Sequence, residues 1–213
     1  MKNEFWILKW QENQIGFHKD SVHRMLTQHV DELSLVNSNT VFVPLCGKTI
    51  DMLWLHQQGY KVIGIELSQI AVEEFFNENK LDYTQTKTTD FNIYKHKEIT
   101  IYQGDFFKLT KKDLKDVKAT YDRAALIALS DELQKSYVKH LNAITPKQTP
   151  TLLITLEFNH PSGPPFSTPL PKVENLYPNT TIMSLQSEDI IEEMPMHKNK
   201  DCEEVIERVY LMK

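Results

Sequence analysis

Cysteine is scarce in this chain: Cys46 and Cys202 are the two among 213 residues, one in a turn and one in a late charged segment. That is not the spacing of a metal site, no metal is expected, and reduced thiols are the default. A cationic excess is also missing. The formal charge of −5 argues against nucleic acid as a partner, because binding phosphate backbones depends on clustered Lys and Arg. Long apolar runs are absent too: the longest, Ala124 to Leu129, falls far short of the ~20 residues that span a bilayer. The opening Met1-Lys2-Asn3-Glu4-Phe5-Trp6 lacks the apolar core of a signal peptide, so a cytoplasmic protein without a membrane partner is expected. There is no repeat or low-complexity tract. An apolar fraction of 40% and a charged fraction of 25% are ordinary for a globular chain.

Glycine is sparse where it would matter most. Val41 to Phe76 reads as strand, tight turn, helix and second strand, with the acid Glu66 where that second strand ends. A parallel βαβ unit with an acid about 20 residues beyond its first turn is the arrangement that holds a ribose by its two hydroxyls. A dinucleotide would also need several glycines, so that backbone N–H groups can approach its pyrophosphate. The turn here, Pro44-Leu45-Cys46-Gly47-Lys48, has one glycine and a bulky Leu45. It suits a cofactor with a ribose and no phosphate, of which S-adenosylmethionine is the common example. Gly47-Lys48-Thr49 also resembles the tail of a P-loop, but that motif needs a glycine where Phe42 stands, and Pro44 has no N–H to offer a phosphate. An ordinary turn with no ligand is the plain alternative.

At this length one α/β domain, 1–213, is expected, and nothing demands more than a monomer. Residues 1–38 read as an N-terminal helical cap, with Val22, Met25, Leu26, Val30 and Leu33 at helical intervals, in front of an α/β core, 39–213. Strands are predicted at Thr40–Leu45, Lys61–Glu66, Glu98–Gln103, within Thr120–Ile127, and at Thr151–Glu157. Between them come a helix from Ile50 to Gln58, one capped by Ser68 and one capped by Ser130. Glu73, Glu74 and Glu78 are placed on the solvated side of the helix after Ser68, and Lys111 to Lys118 read as a charged connection. Five prolines fall between Pro161 and Pro171, and Thr180–Leu185 with Val205–Met212 read as an antiparallel hairpin. The alternation implies a doubly wound, mostly parallel sheet that binds ligands beyond the carboxyl ends of its strands.

Phe42-Val43-Pro44-Leu45-Cys46-Gly47-Lys48, Asp51-Met52-Leu53-Trp54-Leu55, Val62 to Ser68 and Glu74-Phe75-Phe76 together resemble the thiopurine S-methyltransferases, particularly the short bacterial ones. Trp6, Trp10 and Gly16-Phe17-His18, then Tyr121 to Leu129, then Gly163-Pro164-Pro165-Phe166 extend the resemblance over nearly the whole chain. It implies a class I, Rossmann-like methyltransferase fold with S-adenosylmethionine as cofactor. Glu66 would hold the ribose, with Leu45 and Gly47 lining the turn. Asp105 and Phe106 would meet the adenine, and Trp10 and Trp6 would line the cofactor, where an indole face stabilises a sulfonium. Arg123 would bind the methionine carboxylate and help hold an anionic acceptor. Phe17 and Phe166, the latter on a proline-rich lid, would cover the acceptor.

Each of these residues has a plainer role as well. Glu66 could serve the dipole of the following helix, and Asp105 could be a turn residue. The aromatics could simply pack the cap, the proline-rich stretch could be a stiff linker, and Arg123 could pair with Asp122 or Glu157. Family members carry a late arginine near the acceptor, and Glu193-Met194-Pro195-Met196-His197-Lys198 offers only His197 or Lys198 in its place. The implied activity is methylation of small aromatic or heterocyclic thiols, with selenium or tellurium oxyanion detoxification also allowed. No residue is assigned as an indispensable acid or base, since an easily ionised thiol needs chiefly near-attack positioning. A nicotinamide oxidoreductase is disfavoured by the single-glycine turn, and an inert binder of S-adenosylmethionine is the remaining alternative.

Overall fold

The computed structural model describes residues 3–161, 163–194 and 202–213. After helices α1 (Asn3–Gln11) and α2 (Arg24–His29), the chain runs β1 (Thr40–Val43), α3 (Asp51–Gln57), β2 (Lys61–Glu66) and α4 (Gln69–Glu78). It continues through β3 (Thr84–Lys87), β4 (Asn92–His96), β5 (Ile99–Gln103), β6 (Val117–Arg123) and α5 (Asp131–Ile144). The last elements are β7 (Thr151–Glu157), α6 (Leu170–Leu176), β8 (Ile182–Asp189) and β9 (Ile206–Met212). No helix among the described residues is long and apolar enough to cross a membrane.

One nine-stranded sheet runs in the order β3-β4-β5-β2-β1-β6-β7-β9-β8. Its centre is parallel, from β5 through β2, β1 and β6 to β7. Antiparallel pairs close both ends, β3–β4–β5 at one and β7–β9–β8 at the other. The expected doubly wound sheet, helical cap and C-terminal antiparallel pair are all present. Side chains alternate across the central strands as a doubly covered sheet requires. Val41 and Val43 pack with Met52, Leu55, Phe75 and Phe76 on one face, while Phe42 packs with Ile65, Tyr137 and Leu141 on the other. From β1 the chain moves outward to β2 and then returns to place β6 on β1's opposite side, so strand order reverses between β1 and β6. A crevice at the carboxyl ends of the strands belongs at such a reversal.

Four local differences from the sequence reading have physical causes. The β3–β4 hairpin was not anticipated, because all four residues of β3, Thr-Gln-Thr-Lys, are exposed and carry no apolar alternation. Strand β6 begins at Val117, inside the charged run, because buried Val117 and Ala119 flank exposed Lys118. Helix α6 starts within the proline-rich stretch; Pro171 sits in its first turn, where no backbone N–H is needed. Ser68 caps α4 by accepting the Ala71 N–H at 3.3 Å, whereas Ser130 occupies the cap of α5 without a side-chain bond. Asp131 and Glu132 in the first turn complement that helix's dipole instead.

Buried acids tie β6 to its neighbours. The Tyr121 hydroxyl donates to Asp51 at 2.9 Å; Asp122 accepts the Tyr137 hydroxyl at 2.6 Å and the Leu126 N–H at 3.2 Å. Burial pushes the Asp122 carboxyl from 3.8 up to about 6, outweighing those two bonds. With its folded value above its unfolded one, the folded protein holds this proton more tightly. The resulting stability is complete at low pH and is lost as pH rises from 3.8 through about 6. In Asp122→Asn this segment of the profile is expected to vanish. The wild-type-minus-variant difference in unfolding free energy, measured by urea titration, should fall across that window and level off above it.

Candidate active site

The turn after β1 is built by two left-handed residues, Leu45 at φ 45° and Gly47 at φ 52°. The Cys46 N–H donates to the Ile65 carbonyl at 2.9 Å, which binds the turn to β2, and half-buried Leu45 packs against the core beside Phe42. This geometry aims the Gly47 N–H at Glu66 Oε2, 2.8 Å away, while the Ser68 N–H donates to Oε1 at 2.7 Å. Each carboxylate oxygen takes one backbone donor and keeps acceptor capacity for a second. The Glu66 residue is 6% exposed; burial holds its carboxyl above the usual range, outweighing the backbone amides that oppose it. Its oxygens face the turn and Ser68, while the first-turn amide of Ala71 is served by the Ser68 hydroxyl.

The cap closes over this turn. Phe17 meets Trp6 at 5.5 Å and Trp10 at 5.6 Å, both edge-to-face. Trp10, 6% exposed, lies on Gly47, where an added Cβ would come 3.1 Å from its ring. Gly47→Ala therefore combines a left-handed alanine with an indole forced outward. A loss of ~1–3 kcal/mol in unfolding free energy is expected, with weaker S-adenosylhomocysteine binding by calorimetry. Lys48 fixes the far side of the turn: its ammonium, on a side chain 9% exposed, donates to Glu74 at 2.9 Å and Glu78 at 2.7 Å. These two acids lie on the solvated face as expected, with side chains 39% and 53% exposed, and from there also clamp the turn to α4.

Arg123 ends β6 and forms the third wall. Its sequence-stated partners are taken, Asp122 by Tyr137 and Leu126, and Glu157 by Arg208 at 2.5 Å. Among the described residues no hydrogen bond or ion pair holds the half-buried Arg123 side chain. Its charge still reaches His18, Tyr121 and Glu207. Burial pushes the Glu207 carboxyl up, but the His23 bond at 3.1 Å and the nearby His23, Arg123 and Arg24 charges hold it below the usual range. The His23 N–H also donates to Asp51 at 2.8 Å, so the cap is fastened to both α3 and β9.

Asp105 caps a short 3₁₀ turn by accepting the Phe107 N–H at 2.9 Å, and Gly104 holds it beside the second strand through the Glu66 carbonyl at 2.8 Å. The Phe106 ring is packed into the core against Tyr137 and His140, with centroids 4.9 and 5.1 Å apart. The proline-rich segment is anchored at its second half: the Phe166 N–H donates to Ile127 and the Thr168 N–H to Leu156, both at 2.7 Å. Phe166 makes no ring contact with Phe17 among the described residues. His197 and Lys198, the proposed stand-ins for a late arginine, lie outside the described residues. The turn, Glu66, Asp105, Arg123 and the Trp6–Trp10–Phe17 cluster thus gather around the carboxyl ends of β1, β2, β5 and β6. Sequence reasoning passed over Lys48 and Glu207, although Glu74 and Glu78, four apart on one helical face, were a legible hint for the first.

The family described as thiopurine S-methyltransferase (TPMT) matches this chain over residues 1–213. The chain belongs to the thiopurine S-methyltransferase family. A relative of that name from Marinobacter nauticus is 45% identical over 83% of this chain and 82% of its own length. Another, from a Shewanella species, is 39% identical over 100% of this chain and 99% of its own. Among solved structures, a SAM-dependent methyltransferase from Anabaena variabilis shares the fold at TM-score 0.67 and 14% identity, covering 99% of this chain and 94% of that one.

Proposed function

We propose that the chain is an S-adenosylmethionine-dependent S-methyltransferase of small aromatic or heterocyclic thiols, working as a cytoplasmic monomer. One observation carries the cofactor part: a buried carboxylate at the strand-order reversal, oriented by two backbone N–H groups, with one acceptor position left on each oxygen. Two adjacent ribose hydroxyls are donors that fit those positions. Leu45 and Gly47 form the bend beneath the nucleoside, and Asp105 with the Phe106 backbone meets the adenine edge.

When bound, S-adenosylmethionine supplies a methyl group activated by a sulfonium. The indoles of Trp10 and Trp6 present the faces that stabilise such a cation. Arg123, without a hydrogen bond or ion pair among the described residues, binds the methionine carboxylate and draws an anionic acceptor, favouring its thiolate form. Phe17 and Phe166 exclude water from above. Positioning of this kind contributes up to ~7–11 kcal/mol in well-oriented reactions. Transfer of labelled methyl to a thiopurine and to simple aromatic thiols tests the reading. Product formation is expected; tight S-adenosylhomocysteine binding with no product from any thiol would mean an inert binder.

A further inference from the structure

Methylating a neutral thiol releases a proton, and the cap carries a largely buried imidazole, His18, able to take one. His18 follows Phe17, whose ring wedges between Trp6 and Trp10 above Gly47. Its side chain is 15% exposed, and Nε2 lies 3.3 Å from the Asp20 carboxylate, which stands in open solvent. The nearby Asp20 carboxylate favours the tautomer of the neutral imidazole that keeps its proton on Nε2, which makes Nδ1 the basic nitrogen. Three other segments bring charge to bear on this imidazole: Lys48 from the turn after β1, Glu78 from α4 and Arg123 from the end of β6. We propose that His18 accepts the proton of the acceptor thiol while Arg123 holds the resulting thiolate, an inference that rests on the S-methyltransferase reading above.

The charges divide the work. Burial, Lys48 and Arg123 lower the affinity of His18 for a proton; Asp20 and Glu78 oppose them, and the lowering wins. An imidazole held below its ordinary value is neutral at neutral pH, which is the form able to accept. Arg123, unpaired among the described residues, favours the anion left behind. The balance is complete: the S–H bond breaks with its proton going to Nδ1, and the acceptor sulfur bonds to the methyl carbon. The carbon–sulfonium bond breaks with its electron pair staying on the departing thioether. The imidazolium then discharges to water on the Asp20 side. A thiol already ionised in solution has no proton to give, so the contribution of His18 must depend on acceptor acidity.

His18→Gln, compared with the unsubstituted protein over aromatic thiols of graded acidity, separates this from a packing role. For thiols un-ionised at the assay pH, kcat/KM is expected to fall ~10²-fold or more, the low end for general-base catalysis. The loss should shrink to nothing for thiols already ionised, with S-adenosylhomocysteine affinity by calorimetry unchanged. The His18 imidazole, followed by ¹H–¹⁵N NMR in the unsubstituted protein, should titrate below an ordinary histidine. An equal loss across the thiol series, no loss for the weakly acidic ones, or an ordinary or raised His18 titration would overturn the proposal. Failure of the unsubstituted protein to methylate any thiol would overturn the parent reading and this one with it, and is seen before any substitution is made.

Discussion

Glu66→Gln should lose S-adenosylhomocysteine affinity by ~10²-fold, because hydrogen bonds to a charged acceptor are worth ~1.5–3 kcal/mol each. Glutamine keeps a single acceptor oxygen. Its amide group must face either the Gly47 N–H or the Ser68 N–H, both of which now donate to the carboxylate, so a donor meets a donor. One of those two backbone bonds is then lost, and one ribose hydroxyl loses its acceptor. Thermal or urea unfolding with ligand present measures this directly. At a concentration ~100 times its Kd, the ligand stabilises the unsubstituted protein by ~2.7 kcal/mol. A hundredfold weaker variant gains ~0.4 kcal/mol at the same concentration. Equal ligand-induced stabilisation in both proteins would remove Glu66 from the site.

Arg123→Met separates a binding role from a structural one, since methionine keeps the apolar stem and removes the charge. A half-buried guanidinium with no hydrogen bond or ion pair among the described residues costs folding free energy. Its removal is therefore expected to leave unfolding free energy unchanged or raised, while kcat/KM for an anionic thiol falls ~10–10²-fold through loss of one charge-assisted contact. The substitution should also let the His18 titration move upward, because the Arg123 charge is among the influences holding it down. Had Arg123 been one half of a buried ion pair, the same substitution would destabilise the fold by ~3–5 kcal/mol. A large drop in stability with unaltered acceptor kinetics would contradict the role given to it.

The core of the architecture was legible because β1, β2, β5 and β7 are rich in Val, Ile and Leu and are separated by helices with one apolar face. The edges were not. Strand β3 offers only exposed polar residues, and its pairing with β4 is anchored from the other strand, by fully buried Tyr94. Helix α6 was hidden by prolines that look like loop until one notices that a first helical turn tolerates them. At the site, the βαβ spacing pointed to Glu66 and the strand ends to Arg123. It could not show that Arg123 lacks a partner among the described residues, since that depends on Tyr137 and Arg208 engaging Asp122 and Glu157 first. The link from His23 to Glu207, which fastens the cap to β9, joins residues 184 apart in the chain. Periodicity has nothing to say about pairs so remote, so the charge environment of the cap emerges only in three dimensions.

The most direct test is a crystal structure of the protein grown with S-adenosylhomocysteine. Both Glu66 oxygens should lie within ~3 Å of the two ribose hydroxyls while retaining the Gly47 and Ser68 amides, with Trp10 over the sulfur and Arg123 at the amino-acid carboxylate. An adenosyl group bound away from the β1–β2 bend, or a Glu66 carboxylate touching nothing but its own backbone donors, would contradict the account.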